Sequence, residues 1–254
     1  MMNDYVDRLF DIKGKTAIVT GGKKGIGFEI ANTLYKAGCN LVIIDTLPEE
    51  KVLVNFDNKR VKYLQYDLSV TDNIDESFDD AIQFLGSLDI IINNAGINKR
   101  FFAENFPTDT WKEIIEINLN TVFHFCKLAG HLMIKQSSGK IINIASMLSF
   151  TGGFTASAYS ASKGGVAQLT KSLANEWANK GINVNALAPG FMLTDLNKDI
   201  LKDKTRYNDI LSRIPTNRWG NTEDLSGSIL FLSSKASDYV NGIILPVDGG
   251  YLSR

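Results

Sequence analysis

Short β-branched runs alternate with longer helical patterns along the 254 residues, and the runs are nearly continuously apolar. A glycine-rich turn joins the first run to the first helical pattern. These features predict a doubly wound α/β fold with a seven-stranded parallel sheet between helical layers, because strands covered on both faces lose the alternation of half-exposed ones. Strands are expected at Thr16 to Thr20, Asn40 to Asp45, Arg60 to Tyr66, Leu88 to Asn93, Lys140 to Ser146, Ile182 to Ala188 and Gly242 to Val247. Length and Ser/Thr starts place helices at Gly25 to Ala37, Thr71 to Leu85, Thr108 to Lys135, Ser157 to Asn179 and Thr222 to Leu232. No linker, composition break or internal repeat divides the chain, so residues 1–254 read as a single domain. Residues 191–215 differ: they follow a strand and are polar and charged, reading either as a short helical lid over a pocket or as a solvated connection.

Lys+Arg total 27 against 28 Asp+Glu, a net charge of −1, which provides no global field for nucleic acid or an anionic membrane. Cys39 and Cys126 are too few and too far apart for a disulfide scaffold or a CxxC motif, so reduced, buried thiols are expected. The start of the chain carries acidic residues and no export-type apolar region, and no apolar run reaches the roughly 20 residues of a membrane span. A soluble cytoplasmic protein is expected. His124 and His131 have no clustered Cys, Asp or Glu at ligand spacing, so no metal site is expected.

In a doubly wound sheet, ligands bind outside the carboxyl ends of the strands. After the first strand comes Thr20-Gly21-Gly22-Lys23-Lys24-Gly25-Ile26-Gly27, opening directly into a helix. Glycine lets backbone amides approach a pyrophosphate closely, and the helix N-terminus adds partial positive charge. The spacing is not G-x-G-x-x-G, and a tight connection is the plain alternative. Asp45, at the end of the second strand, lies near the separation at which an acid meets the adenosine ribose hydroxyls. A 2′-phosphate beside that carboxylate would cost about 4 kcal/mol per unit charge at about 4 Å and an effective dielectric of about 20. NAD is therefore expected over NADP, with Lys24 as the counterweight that could contact such a phosphate or neutralise Asp45.

Ser146 ends the fifth strand, and Tyr159 and Lys163 then lie one turn apart on one helix face. Each alone is ordinarily structural; together they suggest acid/base chemistry. Bringing a phenol from near 10 to near neutrality requires about 4 kcal/mol. An ammonium about 4 to 5 Å away supplies about 3 to 4 kcal/mol at an effective dielectric of about 20. Tyr159 is thus expected to exchange the proton of an alcohol or carbonyl, with Ser146 bonding the same oxygen.

Thr20-Gly21, Gly25-Ile26-Gly27, Asn93-Asn94-Ala95-Gly96, Ser146, Tyr159, Lys163 and Pro189-Gly190 occur in the order of the short-chain dehydrogenase/reductase family, which the chain resembles over essentially its full length. The resemblance implies a Rossmann fold, Tyr159 as general acid/base, and Lys163 as pKa modulator and nicotinamide-ribose ligand. It further implies Ser146 as substrate orienter and Asn118 as holder of a relay water. Cofactor contacts are implied at Gly21, Lys24, Gly25, Ile26, Gly27 and Asp45, at Asp67-Leu68, at Asn94, Ala95 and Gly96, and at Pro189, Gly190 and Thr194. A homotetramer is implied as well.

Gly139 to Phe150, Ala174 to Ala178, Arg213-Ile214-Pro215 with Arg218-Trp219-Gly220, and Ala236 to Gly242 carry a narrower resemblance. It is to the 2-deoxy-D-gluconate 3-dehydrogenase and 2-dehydro-3-deoxy-D-gluconate 5-dehydrogenase subgroup, and implies a sugar-acid substrate. Gluconate 5-dehydrogenases and NADPH-linked 3-oxoacyl reductases share pieces of it, and a non-catalytic dinucleotide sensor is the alternative of another class. A sugar acid needs a cationic anchor. Arg100 is expected to contact the substrate carboxylate ahead of Lys99, the alternative being a solvent-facing basic pair. Met147, Gly152, Gly153 and Phe154 are expected to line the pocket. Arg213 and Arg218 serve either substrate contact or packing.

Overall fold

Each apolar run forms a strand in the computed structural model, which describes residues 4–46, 48 and 56–253. The strands are β1 Thr16–Thr20, β2 Asn40–Asp45, β3 Val61–Gln65, β4 Ile90–Asn93, β5 Gly139–Ile144, β6 Ile182–Pro189 and β7 Ile244–Val247. They form one sheet in the order β3-β2-β1-β4-β5-β6-β7, every pair parallel. The helices are α1 Asp4–Phe10, α2 Gly25–Lys36, α3 Thr71–Leu85, α4 Thr108–Ile115, α5 Thr121–Gln136, α6 Ser157–Trp177, α7 Lys198–Lys202, α8 Lys204–Leu211 and α9 Ser226–Ser233. Successive strand residues feed opposite cores. Ile18, Val42, Ile44 and Ile91 pack with Phe78, Phe125 and Val166 of α3, α5 and α6. Val19, Leu41, Ile43 and Ile92 pack instead with Ile30, Leu34 and Ile229 of α2 and α9. This two-sided burial is why the runs read as continuously apolar.

The chain runs outward from β1 to β3, then returns to β4 on the other side of β1. That reversal opens a crevice at the carboxyl ends of β1 and β4. The glycine turn and Asn94-Ala95-Gly96 leave the sheet there.

Several boundaries differ from expectation. The fifth strand ends at Ile144 rather than Ser146, because Ser146 caps the 3₁₀ turn Met147–Ser149 by accepting from Leu148 N. The seventh begins at Ile244, since Gly242 adopts a φ of 76° that breaks the extended backbone. The third and fourth are trimmed to Val61–Gln65 and Ile90–Asn93. The single helix expected from Thr108 to Lys135 is interrupted by a π-helical turn, Glu116–Asn120. The expected Thr222 to Leu232 helix starts as a 3₁₀ turn, Thr222–Leu225, ahead of α9. Helix α1 has no counterpart among the expected elements.

Residues 191–215 contain α7 and α8. Ile200, Ile210, Ile214 and Trp219 bury a small core of their own, with Tyr207 stacked on Trp219 at 5.2 Å. Cys39 and Cys126 are free and buried. Among the described residues, no helix is long and apolar enough to cross a membrane, and no cluster of three His, Cys, Asp or Glu is arranged to hold a metal.

Candidate active site

The glycine turn and the end of β4 are locked together. Asn94 Nδ2 donates to Thr20 O and Gly21 O at 3.1 and 2.8 Å. Thr20 Oγ1 accepts from the backbone N–H groups of Asn94 and Ala95, each at 3.1 Å. Gly21 takes a φ of 65°, and a Cβ there would lie 2.8 Å from Ala95 Cα. A Cβ at Gly27 would lie 2.1 Å from Gly21 O. Only glycine permits this packing. The N-terminus of α2 receives no side-chain cap, so its first N–H groups remain directed at the crevice. A Cβ on Gly25 would touch Thr194 Cγ2 at 3.7 Å, which places Thr194 over the glycine turn. Pro189 closes β6, and Gly190 lies so near Asp248 that a Cβ would meet its Cα at 2.6 Å.

At the other end of the crevice, Asp45 Oδ2 accepts from Lys23 N at 3.1 Å. The Lys23 ammonium donates to Pro48 O. Lys24 points the other way, 3.5 Å from Asp195 in an exposed pair. The lysine that meets Asp45 is thus Lys23, through its backbone N–H, rather than Lys24. Asp67 is exposed, with its carboxylate accepting from Ser69 N and Ser69 Oγ. Leu68 is 4% exposed and packs in the core, and its carbonyl accepts from Thr121 Oγ1.

Helix α6 carries Tyr159 and Lys163 to the end of β5. Lys163 is buried, and its Nζ donates to Ile144 O at 2.6 Å and lies 5.8 Å from the centre of the Tyr159 ring. Burial pushes the Lys163 pKa down to about 8. Burial likewise raises the Tyr159 phenol above its ordinary value, while the Ser146 hydroxyl and the Arg100 guanidinium draw it back. Arg100 is therefore a cation that favours the phenolate, while burial of Tyr159 and Lys163 works against the charged form of each. Ser149 Oγ accepts from Ser146 N at 3.3 Å and donates to Lys163 O at 2.7 Å. It stitches the Ser146 turn to α6, a role that sequence position alone did not signal.

Asn118, fully buried in the π-helical turn, accepts from Ile97 N at 2.8 Å and donates to Ile97 O and Ser162 Oγ at 2.9 and 3.2 Å. Its amide clamps the loop after β4, beside Gly96, whose added Cβ would meet Asn118 Oδ1 at 3.2 Å.

These two motifs converge on one crevice in the order expected of one family. The model of that family, short chain dehydrogenase, matches residues 15–205. The chain belongs to the short-chain dehydrogenase family. It is similar to the 2-dehydro-3-deoxy-D-gluconate 5-dehydrogenase of Bacillus subtilis (strain 168), with 47% identity across 98% of this chain and 99% of that protein. The Escherichia coli (strain K12) protein of the same name is 43% identical across 96% and 98% of the two chains. The crystal structure of a gluconate 5-dehydrogenase from Burkholderia cenocepacia J2315, in complex with NADP and tartrate, superposes with a TM-score of 0.93. It is 36% identical, covering 98% of this chain and 99% of that one. The chain is accordingly an oxidoreductase of the short-chain dehydrogenase type.

The remaining short-chain dehydrogenase residues sort by geometry. Arg100 is half-buried near Tyr159 and donates to Phe154 O at 3.2 Å. Lys99 instead pairs with Glu113 at 2.6 Å on the surface. Met147 is 3% exposed, so its side chain belongs to the interior of the turn. Gly153 packs on α6, its N–H donating to Ser160 Oγ, and an added Cβ at Gly152 would meet nothing within 4 Å. Phe154 is 71% exposed. Arg218 is bound at two points by Asp224, at 2.6 and 2.8 Å. Arg213 is exposed.

Proposed function

We propose that this short-chain dehydrogenase moves hydride reversibly between a hydroxyl carbon of a deoxy sugar acid and a nicotinamide dinucleotide, as a 2-dehydro-3-deoxy-D-gluconate 5-dehydrogenase. The observation carrying this reading is that Ser146, Tyr159 and a cationic Arg100 gather beside the crevice that the glycine turn borders. The names of the 47% and 43% identical relatives support the substrate class.

The glycine turn fits a dinucleotide, since its backbone is bare where a Cβ would collide and its helix end is uncapped. Gly21, Gly25, Ile26 and Gly27 would hold the pyrophosphate; Asp45 the adenosine ribose; Asp67 and the Leu68 backbone the adenine side. Asn94, Ala95, Gly96, Pro189, Gly190 and Thr194 would border the nicotinamide end, with Lys163 at its ribose. The dinucleotide supplies the carbon that accepts or returns hydride. Tyr159 donates its proton to the substrate oxygen in reduction and takes it back in oxidation. Ser146 fixes that oxygen, and Lys163 holds the floor of the site through Ile144 O. Asn118 keeps the β4 loop in place; its part in a proton relay belongs to the family reading. Residues 191–215 act as the lid, a reading supported by their separate core and by Thr194 over Gly25.

NAD is the favoured cofactor because Asp45 opposes a 2′-phosphate. Lys23, whose backbone N–H meets that carboxylate and whose ammonium bonds Pro48 O, supports NADP as the second reading. The buried free thiols support a cytoplasmic enzyme. An apolar groove between α3, α5 and α6, lined by Phe78, Ile82, Leu128, Leu132 and Trp177, supports a homotetramer.

Initial rates on a panel of sugar acids and 3-oxoacyl substrates, each with NADH or NADPH and the oxidised forms, test substrate and cofactor together. Sugar acids with NAD(H) should turn over fastest. Tyr159→Phe should lower turnover roughly 10²- to 10⁴-fold while dinucleotide binding persists. Parent-like turnover in that variant would remove Tyr159 from the chemistry, and an inactive parent that still binds dinucleotide would make the chain a sensor.

A further inference from the structure

Two guanidinium groups meet at the mouth of this site, and only one of them belongs to the β4 loop. Arg206 comes from α8, within residues 191–215. Its Nη2 donates to Phe154 O at 3.4 Å, the same carbonyl that accepts from Arg100 Nη1 at 3.2 Å and from Thr155 Oγ1 at 2.6 Å. A carbonyl oxygen has two lone pairs, whereas each guanidinium carries five N–H donors. Three donors crowd a single acceptor, and most of the guanidinium donors face no partner among the described residues.

The charges are equally unbalanced. Among the described residues, neither Arg100 nor Arg206 has a carboxylate within ion-pair distance, whereas Arg218 is paired at two points. Burial and then the like charge of Arg206 lower the Arg100 pKa, with Tyr159 and Asp199 acting in the opposite sense. Arg206 also lies over the Phe154 ring, its Cζ 5.8 Å from the ring centre. Two cations kept close together and half-buried, Arg100 of them beside the Tyr159 phenol, are stabilised by an anion between them.

We propose that Arg100 and Arg206 together form the receptor for the substrate carboxylate, Phe154 O being the acceptor they share until that carboxylate takes its place. Bidentate guanidinium bonds suit a planar carboxylate, and two guanidinium groups match its two oxygens. Because Arg206 rides on α8, the substrate's charge draws residues 191–215 onto the site. A neutral polyol of the same length would bond the catalytic groups but would not draw α8 inward. The inference rests on the sugar-acid reading above and extends it by naming Arg206 as a specificity-determining residue.

The test compares kcat/KM for the best sugar acid with that for the neutral alditol of equal chain length, in the parent, Arg206→Gln and Arg206→Lys. Losing one charge-assisted contact should reduce the acid-to-alditol ratio roughly 10- to 100-fold in Arg206→Gln, mainly through KM for the acid. Arg206→Lys, which keeps the charge without the fork, should recover part of that loss. An unchanged ratio, or equal loss on both substrates, overturns the receptor while leaving the sugar-acid reading intact. A parent with no preference for the acid overturns both. Circular dichroism of each variant separates a misfolded lid from a lost contact, and Arg206→Lys decides the matter if Arg206→Gln does not fold.

Discussion

Lys163 is a single buried ammonium whose environment sets a measurable pH dependence. Burial holds its pKa at about 8 against an ordinary 10.5. Between those values the unfolded chain carries a proton that the folded chain has lost, so folding stability rises with pH in that window. The whole fall corresponds to about 3 kcal/mol of disfavoured charge. Cys39 and Cys126 act oppositely above pH 9, because burial pushes both thiols to about 12. Those thiols are common to parent and Lys163→Met, so they cancel in the difference. Urea unfolding from pH 7 to 10.5 should therefore show the parent gaining on Lys163→Met as pH rises; a flat difference would mean the ammonium is not desolvated. Tyr159 and Lys163 were legible from spacing because residues one turn apart share a helix face. Arg206 was not, since its position beside Arg100 comes from tertiary packing of α8 on the Phe154 loop. Lys23 and Lys24 are neighbours of one type, and only the course of the backbone decides which of them stands beside Asp45.

At the scale of elements, the joint between the glycine turn and β4 depends on one hydroxyl. Thr20 Oγ1 serves two backbone N–H groups, those of Asn94 and Ala95, in a position 1% exposed. Thr20→Val keeps the shape and removes the acceptor, leaving two donors unsatisfied at about 1 to 3 kcal/mol each. Thermal or urea unfolding should show a loss of about 2 to 5 kcal/mol, and dinucleotide affinity should fall with it. A loss under about 0.5 kcal/mol would show that water or a relaxed backbone replaces the hydroxyl. The central strands were readable because burial on both faces writes itself as unbroken apolar runs. The ends were not, as Ser146 shows: its strand-like neighbours extend the pattern, yet its side chain bonds Leu148 N and turns the chain into a 3₁₀ turn. Helix α1 is a seven-residue element whose Tyr5 and Val6 are exposed, so its apolar periodicity is too short to register.

On the scale of the whole molecule, the alternation of runs and helices determined the sheet's connectivity, and with it the crevice where the site residues meet. What the alternation did not specify is whether copies of the chain associate. The groove between α3, α5 and α6 carries apolar side chains on the outer surface, and Phe123, Phe84 and Trp111 of the neighbouring helical faces are exposed as well. Light scattering on the purified enzyme should give four chain masses, and a monomer at micromolar concentration would leave that groove without its proposed cover.

The widened turn at Glu116–Asn120 inserts one residue between two helical stretches that would otherwise share a single register. Each residue in a regular helix advances the side chains by about 100° around the axis, so excising one would rotate everything downstream by that angle relative to α4. Val122, Phe125, Ala129 and Met133, which now face the sheet, would swing aside and present their neighbours to it. The loop beyond β4 would lose its Asn118 anchor in the same motion. The irregularity therefore lets one continuous rod satisfy two incompatible facings, the packing of its far half and the grip of its middle on the loop that leads to Arg100.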